Sequence, residues 1–283
     1  MREGRPSYTA AWVAALRGLT RSSLDERVAD PVARDLVPQP YALAIDLTDR
    51  FPEVWNRLRT VADRASFYHF SHVAMRTRAI DDVVTRAIRE GAHQLVVLGA
   101  GLDSRAWRLS CLADHVVFEV DHPATQAYKR RKIEGRRSVA RDVRFVAVDF
   151  ERDALEERLT DAGYDPTVRS VFIWEGVTMY LQPEAVEQTL SVLSKLAARG
   201  STLLVTYARR HQRSASVEIV RWVVRSSGEP FRALYTRGQM AEALSRHGFR
   251  AVTDEGLKDW VPRYRNGTES PGSLERLVHA IRE

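Results

Sequence analysis

Glycines and acidic residues stand directly after apolar runs of this sequence, and their types and spacing suit the binding of a nucleoside-containing ligand. Gly99 and Gly101 follow the run Leu95–Leu98, and glycine lets a backbone turn tightly and approach a ligand closely. The third glycine of the dinucleotide fingerprint is missing, and Asp103 follows the second one instead. Its carboxylate would repel a pyrophosphate and would suit a phosphate-free ligand with a sulfonium or ammonium group.

Three further apolar runs end in an acidic residue. Asp121 ends "VVFEVD", 20 residues after the second glycine, a spacing at which a carboxylate can bind ribose hydroxyls. Asp121 could alternatively cap the helix that follows it. Asp149 ends "FVAVD" and could accept a hydrogen bond from an adenine amino group, while Phe150 could lie against the ring. Glu175 ends "FIWE", so four successive runs end in residues suited to one ligand.

The elements that must position these residues are those of a doubly wound α/β domain. From about residue 91, short apolar runs alternate with helical stretches, which is typical of a parallel sheet covered by helices on both faces. The carboxyl ends of such strands share one edge, where ligands bind. The predicted strands are Leu95–Leu98, Val116–Val120, Val143–Val148, Ser170–Trp174, Thr202–Tyr207 and a short one at Arg250–Thr253.

The helices between these strands are predicted at Pro123–Glu134, Asp153–Ala162 and Pro183–Ala198. The C-terminal part has a weaker pattern. There we expect a loop over Asp259–Glu269 and a final helix over Ser273–Arg282.

The first 90 residues are predicted to be helical. Ser66–Glu90 has the clearest helical spacing of apolar residues, and Gly91 ends that helix. We therefore predict a helical segment over residues 1–90 that contributes a lid to the site, a ligand-binding domain over 91–283, and a helical insert near 211–235. Within the insert, the apolar face of Val217–Val224 would either cap a pocket or form a homodimer contact.

Composition limits the classes of function. The single cysteine, Cys111, cannot form an internal disulfide, and a zinc site needs more ligands than one thiol, so no metal is predicted. No apolar run reaches the roughly 18 residues of a membrane span, and we expect a cytoplasmic protein without a membrane partner. The net charge is +6. We interpret the basic run Tyr128–Arg137 as the solvated end of a helix rather than a nucleic-acid site, because no aromatic residues interleave it in a nucleic-acid motif.

Five motifs in this order make the sequence resemble the leucine carboxyl methyltransferase family of class I methyltransferases. The resemblance is strongest to a bacterial branch that includes polyketide-pathway O-methyltransferases, and it covers roughly residues 24–260. The motifs are "RTRAIDD" at Arg76–Asp82, "LGAGLDSRAWRL" at Leu98–Leu109, "FEVDHP" at Phe118–Pro123, "AVDFERD" at Ala147–Asp153 and "EGVTMYL" at Glu175–Leu181, with a weaker "DPVARDLV" at Asp30–Val37.

The resemblance implies a seven-stranded Rossmann-like sheet and S-adenosylmethionine (SAM) as the cofactor. It implies that Arg76 pairs with the cofactor carboxylate and that the glycine turn holds the methionine portion. Asp121 would bind the ribose, Asp149 and Phe150 the adenine, and Glu175 would lie near the amino-acid end. The predicted cofactor contacts are Arg76, Gly99, Ala100, Gly101, Asp103, Asp121, His122, Asp149, Phe150 and Glu175.

The expected reaction is methyl transfer to a carboxylate or phenolic hydroxyl of a small, secondary metabolite. Family members that methylate a phosphatase carry a lysine just before the "DP" element, where this sequence has Ala29, so a phosphatase tail is not the expected substrate. A carboxylate needs no base, whereas a hydroxyl can need one. His72, one helical turn before Arg76, and Tyr180, after the fourth strand, are the predicted catalytic residues; each could instead be a structural side chain.

Three other functions stay open on the sequence alone. One is a protein or peptide carboxyl methyltransferase, which would need an open groove. Another is an NAD(P) oxidoreductase, which Asp103 and the missing third glycine disfavour. The last is a protein that binds SAM without transferring its methyl group.

Overall fold

A seven-stranded sheet lies at the centre of the computed structural model, which describes residues 7–20, 30–66, 68–150, 153–210, 231–265 and 274–283. The strands are β1 Gln94–Leu98, β2 Val116–Asp121, β3 Asp142–Ala147, β4 Ser170–Trp174, β5 Thr202–Ala208, β6 Phe249–Glu255 and β7 Glu275–Arg282. Their order across the sheet is β3-β2-β1-β4-β5-β7-β6. Neighbours among β1 to β5 are parallel, and β7 is antiparallel to β5 and β6. The predicted mostly parallel, doubly wound sheet is confirmed.

Helices cover both faces of this sheet. The helices that the structure describes are α1 Tyr8–Leu19, α2 Ala33–Leu36, α3 Gln39–Arg50, α4 Pro52–Ala65, α5 His69–Arg89, α6 Arg105–Arg108, α7 Pro123–Lys132, α8 Leu155–Asp161, α9 Pro183–Leu196, α10 Arg237–Arg246 and α11 Leu257–Tyr264. Successive strand side chains point to opposite faces, so Leu95 and Val97 join one apolar cluster and Val96 and Leu98 join the other. Helices α1, α5 and α11 pack on the first face, and α8, α9 and α10 pack on the second.

The helical character predicted for the N-terminal part is confirmed in the described residues, which form α1 to α5 before the sheet begins. The predicted helix Ser66–Glu90 begins later than expected, at His69, because Tyr68 has a left-handed backbone with φ of 64°. Gly91, with φ of 94°, follows its end as predicted. The division at residue 90 and the lid stay predictions, and residues 211–230 of the predicted insert, including Val217–Val224, lie outside the described residues.

The predicted loop Asp259–Glu269 is wrong over its first part, where the chain forms α11. The Gly256 N–H donates to the Asp259 carboxylate over 2.8 Å at the start of this helix. Trp260 is fully buried in the cluster that also contains α5 side chains. This tertiary burial stabilises the helix although Pro262 within it cannot donate a backbone hydrogen bond.

The predicted final helix Ser273–Arg282 is also wrong, because residues 275–282 form β7 between β5 and β6. A strand inside a sheet is buried on both faces, so it lacks the alternation of polar and apolar residues that identifies a half-exposed strand. The antiparallel direction of β7 puts its first residue, Glu275, opposite Ala208 at the end of β5. A carboxylate is thereby added to the edge where the parallel strands end.

No helix in the described part of the chain is both long enough and apolar enough to cross a membrane.

A buried histidine in β7 makes the stability of the fold depend on pH. Burial lowers the pKa of His279 from 6.5 to about 4, so this imidazole is neutral in the folded protein at pH values where it is protonated in the unfolded chain. The stabilisation is therefore present above pH 6.5 and is lost as the pH falls towards 4. Relative to His279→Gln, we expect the wild type to lose about 2 kcal/mol of unfolding free energy between pH 7 and pH 5.

Urea denaturation at the two pH values measures this difference. His93 is exposed, and His93→Gln serves as the matched control that should follow the wild type. The same pH dependence in His279→Gln and the wild type would contradict the prediction.

Candidate functional site

The glycine turn after β1 is joined to the end of β2 at the carboxyl edge of the sheet. Gly99 and Gly101 have φ of 64° and 49°, left-handed values that favour glycine. The Gly101 N–H donates to the carboxylate of Asp121. The Ala100 N–H donates to the Val120 carbonyl over 3.0 Å. The predicted turn and the predicted ribose-binding carboxylate therefore lie side by side.

His122, rather than Asp121, caps the helix after β2. The His122 Nδ1 accepts a hydrogen bond from the Ala124 N–H over 3.2 Å at the start of α7. The alternative role of Asp121 as the helix cap is therefore wrong. Burial raises the pKa of the Asp121 carboxyl, although backbone N–H donors of Gly101 and His122 partly oppose that shift. Asp121 remains at the strand end with an acceptor group suited to hydroxyls.

Asp149 and Phe150 follow β3, the strand next to β2, and are both half-buried. The Asp149 N–H donates to the Asp153 carboxylate over 2.8 Å. Phe150 packs against the apolar cluster on the second face. Their position at the carboxyl edge is the one required for the predicted adenine contacts.

Arg76 on α5 is held between two carboxylates. Its Nε donates to Glu175 Oε1 over 2.8 Å, and its Nη1 donates to the carboxylate of Glu275. Burial alone would lower the pKa of Arg76, but the two carboxylates outweigh it and raise that pKa. Burial alone would likewise raise the pKa of Glu275, but Arg76 and the bond with His72 hold it below its usual range. Arg76 and Glu175 thus lie together, with Glu275 beside them, and their cofactor contacts stay predictions.

Arg105 at the start of α6 joins this group to the glycine turn. Its Nη1 lies 3.0 Å from Glu175 Oε2, and its Nε donates to Asp81 Oδ1 over 2.7 Å. It also pairs with Asp103, whose Oδ1 accepts the Arg105 N–H over 2.7 Å. Burial would raise the pKa of Asp103, but the charge of Arg105 and of nearby cations holds it below its usual range. Asp103 therefore contacts Arg105 directly. A bound ligand would interact with the Asp103 carboxylate together with the guanidinium group that pairs with it.

Helix α1 lies against the glycine turn. The Arg17 Nη2 donates to the Leu102 carbonyl over 2.5 Å, while its Nε donates to Asp30 Oδ2 over 2.9 Å. A methyl group built on Gly101 would lie 3.2 Å from the Cβ of Ala10. The N-terminal segment therefore contacts the glycine turn directly.

These contacts connect four guanidinium groups and five carboxylates into one buried group, here called the edge cluster. Arg108 completes it by pairing with Asp81 over 2.6 Å and by donating to Ser104, which donates to Asp30. The members are Arg17, Arg76, Arg105, Arg108, Asp30, Asp81, Asp103, Glu175 and Glu275, with side chains at most 13% exposed.

The structure brings His72 to the edge cluster. Its Nε2 lies 3.1 Å from Glu275 Oε2, and the Trp260 ring packs against it with centroids 5.5 Å apart. A carboxylate accepts hydrogen bonds, so Nε2 carries a proton in this contact, and Nδ1 is the other ring nitrogen. That Nδ1 is buried and has no hydrogen-bond partner among the residues that the structure describes.

Tyr180 lies in a different part of the same edge. It ends the short helical turn Thr178–Tyr180 after β4, and its ring packs against Phe231 with centroids 5.5 Å apart. A half-buried phenol at the end of β4 is compatible with the wall of an acceptor pocket.

Several functional candidates were missed by sequence reasoning. Asp81 and Arg105 lie inside the recognised motifs, but spacing alone does not indicate that the two would pair with each other. Arg17 lies in a helix whose contact with the glycine turn no sequence pattern encodes. Glu275 could have been found only by predicting β7 as a strand. The described residues contain no group of three or more His, Cys, Asp and Glu side chains arranged to hold a metal ion.

A family model described as leucine carboxyl methyltransferase matches residues 10–194. A protein of Mycolicibacterium smegmatis, named as a candidate SAM-dependent methyltransferase, is 32% identical over 260 residues, which cover 87% of this chain and 84% of that protein. A protein of Mycobacterium marinum with a similar name is 36% identical over 200 residues, which cover 69% of this chain and 63% of that protein. The match thus spans less than two thirds of the second relative.

Solved structures share the fold at low sequence identity. A candidate methyltransferase from Thermobifida fusca matches with a TM-score of 0.61 and 15% identity over 94% of this chain and 97% of that one. A DUF574 family protein from Streptomyces avermitilis matches with a TM-score of 0.59 and 12% identity over 94% of this chain and all of the other, 100%. At these identities the likeness concerns the fold alone.

The edge cluster predicts that substituting two neighbouring aspartates of α5 will lower the unfolding free energy by very different amounts. Asp81 accepts from two buried guanidinium groups, Arg105 and Arg108, whereas the side chain of Asp82 is 42% exposed and pairs with Arg78. Removing one partner of a buried ion pair leaves an uncompensated charge, so Asp81→Asn should lose about 3–5 kcal/mol of unfolding free energy. Asp82→Asn should lose less than about 1 kcal/mol.

Chemical denaturation of the two variants beside the wild type measures both losses. Similar unfolding free energies for Asp81→Asn and Asp82→Asn would show that the edge cluster is not a stabilising unit.

Proposed function

Because this chain belongs to the leucine carboxyl methyltransferase family, whose cofactor is SAM, we propose that it methylates an oxygen atom of a small metabolite. The acceptor is a carboxylate or a phenolic hydroxyl, so the product is an ester or an ether. The observation that carries the proposal is the buried edge cluster with its five carboxylates, next to a glycine turn bonded to Asp121. A cationic, nucleoside-containing cofactor fits both features.

The residues present fit SAM better than a dinucleotide. SAM contains adenine, ribose, a carboxylate, an ammonium and a sulfonium, and it carries one net positive charge and no phosphate. Asp121 would hold the ribose, Asp149 and Phe150 the adenine, and Arg76 the carboxylate. Carboxylates of the edge cluster would stabilise the two cationic groups, whereas a pyrophosphate would add negative charge beside them. Repulsion between these carboxylates and a pyrophosphate therefore disfavours NAD(P) as the cofactor.

The work of this chain in the reaction is positioning and charge stabilisation. SAM supplies an electrophilic methyl group on a sulfonium. The side chains must align the acceptor oxygen with that methyl group and exclude water, which strengthens fixed charges in the site. His72 Nδ1 has no hydrogen-bond partner among the described residues and, in a neutral ring, could receive a hydroxyl proton. The Tyr180 hydroxyl could hold the acceptor oxygen. These two residues are the proposed catalytic side chains.

The proposed setting is cytoplasmic metabolism of small, natural-product-like molecules, without a nucleic-acid or membrane partner. A homodimer contact is proposed only through Val217–Val224, which lies outside the described residues. The competing substrate class is a protein or peptide carboxyl terminus.

Loss of the Asp121 carboxylate should weaken cofactor binding. Asp121→Ala removes the acceptor proposed for the ribose hydroxyls, and loss of buried hydrogen bonds should cost about 1–3 kcal/mol in the binding of S-adenosylhomocysteine (SAH). Isothermal titration calorimetry measures the affinity. Asp142→Ala is the matched control, because Asp142 begins β3 at the opposite edge of the sheet and is exposed. Equal affinity in the two variants would contradict the ribose assignment.

The acceptor class is tested by methyl transfer from isotopically labelled SAM to three sets of acceptors: phenols, small carboxylic acids and peptides with a free carboxyl terminus. We expect label in a small molecule and none in peptides. Mild alkali releases the methyl group of an ester as methanol but leaves an aryl ether intact, so it identifies the oxygen. If the product is an ether, Tyr180→Phe and His72→Gln should lower kcat on it by about 10²–10⁴-fold where they act in proton transfer.

Label found only in peptides would contradict the small-molecule proposal. Unchanged kcat in both variants would remove Tyr180 and His72 from the catalytic side chains.

A further inference from the structure

A lysine lies fully buried behind the carboxyl edge of the sheet, and the proposed function has not used it. The side chain of Lys129, in α7, is 1% exposed, and its Nζ lies 2.6 Å from Glu119 Oε2. The same Nζ lies over the ring of Trp107 in α6, 5.0 Å from the ring centroid. A buried ammonium group carries a large desolvation cost, which the carboxylate and the aromatic ring offset.

The partner of Lys129 lies on the same face of the sheet as the carboxylate proposed for the ribose. Side chains of a strand alternate between the two faces, and Val117 of β2 belongs to the apolar cluster on the first face. Glu119 and Asp121 therefore point to that face as well, about 7 Å apart along the strand. Strand β2 thus presents two carboxylates to the side on which Lys129 is buried.

Asp121 receives a nearby positive charge from Lys129. Burial raises the pKa of the Asp121 carboxyl. Two backbone N–H donors oppose this rise, and Lys129 is the cation that opposes it most. Lys129 also acts on Asp103, but there the charge of Arg105 contributes more. The charge of Lys129 therefore matters most for Asp121.

Glu119 competes with Asp121 for this charge. Burial raises the pKa of Glu119 to about 7, although Lys129 of α7 opposes the rise. The carboxylates of Asp103, before α6, and Asp121, in the same strand, add to it. Above pH 7 an ionised Glu119 offsets the charge of Lys129, whereas below pH 7 a neutral Glu119 leaves that charge to Asp121.

On the basis of the proposed function, we propose that Lys129 is a positioning residue for cofactor binding, whose buried charge keeps Asp121 ionised so that it accepts hydrogen bonds from the ribose hydroxyls. An ionised carboxylate only accepts hydrogen bonds, so both of its oxygens are available to N–H and hydroxyl donors. A protonated carboxyl would give up one of these acceptors. Lys129 does not touch the cofactor and acts through Asp121.

The test is a double-mutant cycle between Lys129 and Asp121, with SAH binding measured by calorimetry at pH 6. Lys129→Met removes the charge and keeps an unbranched side chain. It should weaken SAH binding on the order of tenfold, as the loss of one charge at intermediate distance and dielectric implies. In an Asp121→Asn background the same substitution should change the affinity by less than about twofold, because the carboxylate through which it acts is absent.

The pH dependence of these losses separates charge from packing. Since ionised Glu119 offsets Lys129 at pH 8, Lys129→Met should weaken SAH binding less at pH 8 than at pH 6. Glu119→Gln keeps Lys129 and removes its competitor, so at pH 8 this variant should bind SAH at least as tightly as the wild type. A packing defect would instead weaken binding equally at both pH values.

Two further variants serve as controls. If Lys129→Met does not fold because Glu119 has lost its cation, the combination of Lys129→Met with Glu119→Gln removes both charges and should show the same loss at pH 6. Lys132→Met is the matched control, because the Lys132 Nζ lies 5.7 Å from the centroid of the Tyr128 ring in the last turn of α7. It should leave the affinity for SAH unchanged. Circular dichroism and thermal unfolding establish that each variant is folded.

Equal losses from Lys129→Met with and without the Asp121 carboxylate overturn the inference. A loss of the same size at pH 6 and pH 8, or an unchanged affinity in folded Lys129→Met, overturns it too. A wild type that binds neither SAM nor SAH contradicts the proposed function itself, whereas a wild type that binds them and shows additive losses overturns only the role of Lys129.

Discussion

Compensation of buried charge is the constraint on which the site depends. Nine acidic and basic side chains, each at most 13% exposed, lie together where the parallel strands end, and an unpaired ion in such a place costs several kcal/mol. Each guanidinium group therefore meets at least one carboxylate, and most members of the edge cluster meet two partners. This mutual fixation orients the side chains before a ligand arrives. Because the side chains are paired, a bound ligand would interact with the combined charge of the whole cluster rather than with the charge of one residue.

The same constraint explains why distant parts of the chain must fold together before the site exists. Arg17 in α1 reaches Leu102 across 85 residues, and Arg76 in α5 reaches Glu275 across 199 residues. The sheet alone supplies the glycine turn, Asp121 and Glu175. The N-terminal helices supply cations, and β7 supplies the last anion. The N-terminal segment is therefore part of the edge cluster rather than an appendage to the sheet.

Much of this architecture could be predicted from the sequence because strand ends are encoded locally. The short apolar runs before Gly99, Asp121, Asp149 and Glu175 are typical of buried parallel strands. The carboxyl ends of such strands lie together at one edge of the sheet. The partners of Asp103 and Arg76 could not be predicted, because ion pairing between distant segments leaves no periodic pattern. The C-terminal strand was mistaken for a helix for a related reason. Glu275–Arg282 is buried on both faces, so only its neighbours in the sheet determine its conformation.

The charge balance also bears on the acceptor. The carboxylates of Glu175 and Glu275, which pair with Arg76, oppose the approach of a second anion to the same end of the site. A carboxylate acceptor would meet this repulsion, whereas a neutral hydroxyl would not. The hydroxyl must lose its proton as the bond to the methyl group forms, and His72 Nδ1 is a buried acceptor without a described partner beside Glu275. Transfer of the proton to that ring would create an imidazolium next to Glu275, which its charge stabilises. In the proposed function, the carboxylate on β7 would thus disfavour an anionic acceptor and stabilise the proton taken from a neutral one.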